Sequence, residues 1–167
     1  MNKRGDSTSL IITLLIILFM VGLTSIIFSN VFLSVLGEFK TQEGLGNNTI
    51  NTVESVEQKT IPFLDYFFLF SFIGIVIGLI ISAIYIDTNP AVAIIFLIAL
   101  IVTIVLGGIF SNVFTEVSEQ EELLATTNQF TLTSMIINHL PLIILFVGVI
   151  VGIILFSKSR SEAGGLP

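Results

Sequence analysis

The five residues Phe28-Ser-Asn-Val-Phe32 end a long apolar run, and the same five recur at Phe110-Ser-Asn-Val-Phe114 at the end of another run. A second pair of segments matches in the same way, because residues 72–80 align with residues 146–154, glycine on glycine and aliphatic on aliphatic. The first pair is offset by 82 residues and the second pair by 74. The pattern predicts a tandem duplication of a two-helix hairpin, with a longer polar loop in the first copy.

The composition is that of a membrane protein. Hydrophobic residues make up 54% of the 167 residues and charged residues 11%, and the mean hydropathy is +1.06. A water-soluble domain of this length could not bury so much apolar surface. We therefore predict an integral membrane protein whose first partner is the lipid bilayer.

Four apolar runs are each longer than the roughly 20 residues that a helix needs to cross the hydrocarbon core. They lack the alternation of polar and apolar residues that is typical of a barrel strand. The first run resembles a signal peptide, but it is longer than the apolar region of one and is the counterpart of an internal run, so we expect it to be retained. The predicted fold is all-α, with four transmembrane helices at Leu10–Leu36, Ile61–Ile86, Ala91–Phe114 and Leu132–Phe156.

The residue types leave little material for catalysis. The chain has no cysteine and one histidine, so thiolate chemistry, Cys-ligated metals and a multi-histidine metal site within one chain are excluded. No phosphate-binding Gly-Lys loop and no Gly-x-Ser-x-Gly motif is present. We predict a protein that is not an enzyme, with no cofactor, no metal and no nucleic-acid partner.

The basic residues predict the orientation. Lys3, Arg4, Lys158 and Arg160 lie at the two termini close to span ends, where the positive-inside rule places them in the cytoplasm. Eight of the twelve acidic residues lie in the two longer loops, which then face outward. The predicted organisation is a cytoplasmic segment 1–9, a first repeat 10–86 with outer loop 37–60, a cytoplasmic turn 87–90, a second repeat 91–157 with outer loop 115–129, and a cytoplasmic tail 158–167.

Two local features refine this organisation. Pro90 suits the first position of the third helix, and Thr88 or Asn89 suits its cap. In the first loop Ile50, Val53 and Val56 recur at three-residue steps. That spacing fits either a short amphipathic helix on the membrane surface or a solvated loop.

Small residues recur at four-residue spacing in every span, an arrangement that lets helix backbones approach closely in lipid. Such faces hold together either the helices of one chain or neighbouring subunits. Their presence in both halves favours packing within the chain, and a homo-oligomer or a complex with other membrane subunits is the alternative use. The residues are Ser25 and Ser29, Gly74 and Gly78, Gly107 and Ser111, and Gly148 and Gly152.

Four polar residues in or near the spans form a possible polar or ion site. Asp65 and His139 fall on each other when the 72–80 and 146–154 segments are aligned, and ionisable groups in spans often mark proton or ion paths. Both, however, lie near the outer ends of their helices, where an interfacial position is the simpler interpretation. Asn30 and Asn112 end the repeated motif and either hydrogen-bond across helices or reach the headgroup region.

Three functional hypotheses follow. The first is a structural or accessory subunit of a membrane assembly, such as a virion membrane or a larger membrane complex. The second is a small oligomeric transporter or channel that uses Asp65 and His139, since duplicated folds are familiar among transporters. The third is a holin-like protein that permeabilises membranes by oligomerising.

Overall fold

The protein is entirely helical over the residues that the structure, a computed structural model, describes: 6–41, 46–85 and 90–163. These residues form six helices and no strand. The helices are α1 (Asp6–Lys40), α2 (Asn47–Tyr85), α3 (Pro90–Ser118), α4 (Glu121–Thr127), α5 (Thr131–Asn138) and α6 (Leu140–Ala163).

Four of the helices are long and apolar enough to cross a membrane, which agrees with the number predicted. The candidate spans lie in Ile12–Lys40, Asn47–Tyr85, Ile94–Ser118 and Leu140–Lys158, and their most apolar windows have mean hydropathies of 2.6 to 2.9. The exposed surfaces of these helices are rich in Ile, Val, Leu and Phe. Such a surface suits contact with lipid tails, in which an exposed apolar side chain carries no penalty.

The long helices form a bundle with the short helices packed at one end. The most extensive contact joins α3 to α6, α1 packs on both α2 and α3, and α4 and α5 lie against α1, α2 and α3. The main core lies where the short helices meet the long ones, and Phe68, Phe114, Phe130 and Ile137 are almost fully buried in it. A smaller cluster of Ala83, Val151 and Leu155 joins α2 to α6.

The first polar segment differs from the predicted loop 37–60. Helix α1 continues to Lys40 and α2 begins at Asn47, so that most of this segment is helical. An ion pair between Lys40 and Glu57 links the two extensions. Ile50 and Val53 are half-buried within the same continuous helix α2, which corrects the alternatives of a separate surface helix and a loop. Glu, Gln and Lys are good helix formers, and their polarity does not by itself end a helix.

The second polar segment and the fourth span also differ from the prediction. Helix α3 continues to Ser118 and α4 occupies much of the predicted loop 115–129. The predicted span Leu132–Phe156 is divided into α5 and α6 at His139, whose φ of −102° and ψ of 15° depart from helical values. Pro141 accounts for the break, because proline has no N–H to continue the hydrogen-bond ladder and its ring clashes with the carbonyl of the residue four positions earlier, Ile137.

The turn between the halves is described only at its end. Pro90 is the first residue of α3, as the sequence predicts. The proposed caps Thr88 and Asn89 lie outside the described residues, as do most residues of the segment 1–9 and the end of the tail 158–167.

Candidate functional site

The carboxylate of Asp65 is buried at the N-terminus of α5. Its Oδ1 accepts hydrogen bonds from the Thr133 N–H at 2.7 Å and from the Thr133 hydroxyl at 2.8 Å, and its Oδ2 accepts one from the Leu132 N–H at 3.0 Å. Asp65 is 6% exposed and Thr133 is fully buried. A residue of one long helix therefore supplies the cap of a short helix 67 positions further along the chain.

Helix α5 depends on this contact because its own sequence provides no cap. The N-cap residue is Phe130, which has no side-chain acceptor. The first N–H groups of a helix have no partner within the helix, and the helix dipole favours a negative charge beside them. Asp65 accepts hydrogen bonds from the N–H groups of the second and third residues of α5. In many helices an Asp or Ser at the N-cap position accepts such bonds.

The other end of α5 is held by α3. The Ser111 hydroxyl donates to the carbonyl oxygen of Asn138, the last residue of α5, at 2.9 Å, and the Thr115 hydroxyl lies 3.3 Å from Asn138 Oδ1. The free carbonyls at a helix C-terminus need such donors when they are away from water. Helix α5 is thus fixed at both termini by side chains of different long helices.

Helix α4 is attached to α1 by fewer polar contacts. Asn30 Oδ1 accepts a hydrogen bond from the Thr126 hydroxyl at 3.2 Å. The hydroxyls of Ser29 and Thr127 are buried and have no hydrogen-bond partner among the described residues. Of the residues predicted at the repeated motif, Asn30 and Ser111 thus contact the short helices, Ser29 is buried, and Asn112 is exposed.

The structure does not join Asp65 and His139 in one site. Asp65 lies at the beginning of α5 and His139 is the residue that follows its end, about 12 Å further along the helix axis. The His139 side chain is exposed, and its Nδ1 lies 2.9 Å from the carbonyl oxygen of Met135 in its own helix. Asp65 and His139 align in the two predicted repeats, but their side chains do not hydrogen-bond to each other.

The two glycine pairs have different surroundings although their sequences match. A Cβ at Gly148 would lie 2.2 Å from Leu100 Cδ1, and one at Gly152 would lie 3.6 Å from Phe96 Cε1, because α3 covers this face of α6. A Cβ at Gly74 or Gly78 would meet nothing within 4 Å. The face of α6 is therefore used within the chain, and the corresponding face of α2 is open.

The remaining predicted packing residues, Gly107 and Ser25, differ in their surroundings. A Cβ at Gly107 would lie 2.6 Å from Ile144 Cδ1 of α6, so this position allows α3 and α6 to approach closely. The Ser25 hydroxyl donates to the Val21 carbonyl oxygen of its own helix at 2.8 Å. Such a bond satisfies the hydroxyl without a partner on another helix.

Three contacts were not predicted from the sequence. A Cβ at Gly22 would lie 2.7 Å from Ile137 Cδ1 and 2.9 Å from Phe68 Cε2, so α5 and α2 both approach α1 at this glycine. Thr133 supplies two of the donors to Asp65. Lys158 donates to the carbonyl oxygen of Ile84 at 2.8 Å, near the C-terminus of α2, where a cation is favoured. An isolated glycine in the middle of a span was the available signal for the first contact.

The described residues contain no group of three or more acidic or histidine side chains placed to hold a metal ion. Comparison of the chain with protein-family models, with curated proteins and with solved structures finds no match. The arrangement around Asp65 therefore has to be interpreted from its own geometry. Chemically, that geometry joins helices: carboxylate, amide and hydroxyl groups bind one another across α1, α2, α3 and the two short helices.

Proposed function

We propose that this protein is a small polytopic membrane protein that acts as a structural or accessory subunit of a membrane assembly. The observation that carries the proposal is the open glycine face of α2, defined as Gly74, Gly78 and the exposed side chains Phe70, Ile73 and Ile77 beside them. A small-x-x-x-small face allows another helix to approach closely, and in lipid this packing supplies much of the association energy.

The second half of the chain provides an internal example of such a contact. In α6 the matching glycines receive Phe96 and Leu100 of α3, which are four residues apart on one face of that helix. The open glycine face of α2 suits a transmembrane helix with large apolar side chains at the same spacing. We propose that a second copy of this chain, or another subunit of the assembly, supplies that helix.

The polar residues of the bundle support a structural function over a transport function. Asp65 has three donors, all from α5, and Ser111 and Asn30 bind the short helices. These groups stabilise the position of α4 and α5. A coupling site for ions would instead keep its carboxylate available to exchange partners.

We further propose that the four long helices are inserted in a bilayer and that the two hairpins arose by tandem duplication. The repeated motifs at residues 28–32 and 110–114 support the duplication. The different surroundings of the two glycine pairs would then reflect divergence after it, with one face used within the chain and the other between subunits.

The basic termini support an orientation with both termini in the cytoplasm. The chain has no cysteine, so a single cysteine introduced at Asn48 reports this orientation directly. We expect a membrane-impermeant maleimide to label Asn48→Cys from the outer side. Labelling only after the cytoplasmic side is opened would reverse the orientation.

Replacing both glycines of the open face, as Gly74→Leu with Gly78→Leu, is expected to abolish the assembly and leave the monomer folded. A Cβ at either position meets nothing within 4 Å among the described residues, but the leucine side chains prevent another helix from approaching. Native mass spectrometry of protein extracted from its membrane should give a complex for the unmodified chain, whose monomer mass is 18.2 kDa, and a monomer for the variant. Circular dichroism checks that the helices persist.

Gly37→Leu is the matched control, because Gly37 is equally open but lies near the polar end of α1. This variant should retain the mass of the complex. A double variant that keeps the original mass, or an unmodified chain that is already monomeric in its membrane, would refute the proposed function.

A further inference from the structure

Helices α4 and α5 together form a segment, residues 121–138, that we call the strap. We propose that only the α4 part of the strap opens. Helix α4 separates from α1 while α5 stays bound to Asp65. This inference does not depend on the assembly proposed above. It concerns a conformational change within one chain.

The α5 part of the strap is firmly held. Asp65 binds its N-terminus through three hydrogen bonds, and Ser111 binds its C-terminal carbonyl. Thr133 is 0% exposed and Ile137 is 1% exposed, so this helix also has core residues on its inner face. Opening α5 would break all of these contacts at once.

The α4 part is weakly held by comparison. It has seven residues, its N-cap Gln120 makes no side-chain capping bond, and Thr126 makes the hydrogen bond that joins it to α1, at 3.2 Å. A helix this short is not stable without tertiary contacts. Its contact area also includes a small cavity between α1, α3 and α4, with Thr127 in its wall.

Two buried hydroxyls make the closed position of α4 less favourable. Neither Ser29 Oγ of α1 nor Thr127 Oγ1 of α4 has a hydrogen-bond partner in the part of the chain that the structure describes. Burying an unpaired hydroxyl is unfavourable, and opening returns it to water. The exposed residues Asn128 and Gln129, between the two short helices, are placed to act as the hinge. When α4 opens, it uncovers the groove between α1 and α3 that Leu123 now covers.

Hydrogen–deuterium exchange of the full chain in lipid nanodiscs tests the proposal. Helices α4 and α5 each have three buried residues, but Asp65 and Ser111 bind α5 through four hydrogen bonds, whereas α4 is joined to α1 by the Thr126–Asn30 bond. We expect the amides of α4 to exchange roughly tenfold faster than those of α5, because a more weakly held segment opens at lower free energy. Thr127→Val removes the unpaired hydroxyl at nearly constant volume and should slow exchange in α4 roughly 5- to 30-fold. Ser29→Ala removes the unpaired hydroxyl of α1 and should also slow the exchange of the α4 amides.

Asp65→Asn should instead speed exchange in α5. The exchange rates of the Leu132 and Thr133 amides should rise toward those of the α4 amides. The amides of α3 and α6 serve as the internal control and should not change in any of these variants. Equal exchange rates in α4 and α5 would overturn the proposal. So would unchanged or faster exchange of α4 in both Thr127→Val and Ser29→Ala, or a change shared with α3 and α6.

Discussion

Asp65→Ala lowers the free energy of unfolding by roughly 3 kcal/mol, because it leaves buried donors of α5 without an acceptor. The Leu132 and Thr133 N–H groups have no other partner in a helix whose N-cap is Phe130. The loss affects α5 first and then the core around it, since Ile136 and Ile137 of the same helix belong to that core.

Unfolding in mixed detergent micelles, followed by circular dichroism, measures this change. Asp65→Asn should fall between the native chain and Asp65→Ala. Its amide oxygen still accepts the Thr133 hydrogen bonds, but its amide nitrogen cannot accept from the Leu132 N–H, and the charge that favours the helix terminus is lost. Glu54→Ala, at an exposed position of the same helix, is the control and should change the free energy by less than about 0.5 kcal/mol. A stability for Asp65→Ala equal to that of the control would refute the capping role.

Gly148→Leu destabilises the folded chain by roughly 3 kcal/mol or more, because it overpacks the contact between α3 and α6. A Cβ at this position would lie 2.2, 2.9 and 3.1 Å from three atoms of the Leu100 side chain. Leu100 as a whole must therefore move, or the two helices must separate. Since α3 and α6 share the most extensive helix contact of the fold, separating them weakens the whole bundle.

The same unfolding experiment tests this prediction, with Gly74→Leu as the matched control. The two glycines occupy corresponding positions of matching segments, but Gly74 has no atom within 4 Å of its added Cβ. We expect Gly74→Leu to leave the stability of the monomer within about 0.5 kcal/mol of the native value. Equal effects of the two substitutions would mean that the two faces are used alike.

The helical class and the four long apolar helices could be predicted from hydropathy alone, because a run longer than about 20 apolar residues has few alternatives. The helix ends could not. Hydropathy detects where a helix becomes polar, whereas α2 begins at Asn47, well before its continuous apolar run starts at Ile61. The break at His139 had a signal in Pro141, but proline is tolerated within some spans, and α2 contains Pro62 without a break.

The candidate site was partly predictable for a related reason. Asp65 stands out as an acidic residue near the start of a predicted span, and its side chain is buried. Its partners are mainly backbone N–H groups, which every non-proline residue carries and no sequence pattern marks. The alignment instead paired Asp65 with His139, but similar sequences in two halves do not guarantee similar contacts. The matched glycine pairs also differ in their contacts although their sequences agree. Leu100 covers Gly148 of α6, whereas Gly74 and Gly78 of α2 are open.

We propose that the polar groups of the bundle join helices and do not line a path for ions. Proton and monovalent-cation flux into liposomes that contain the purified chain tests it most directly, with circular dichroism of the same samples as a check on folding. We expect no flux above that of empty liposomes, for the native chain and for Asp65→Asn alike. A flux through the native chain that Asp65→Asn abolishes while its helices persist would contradict the claim.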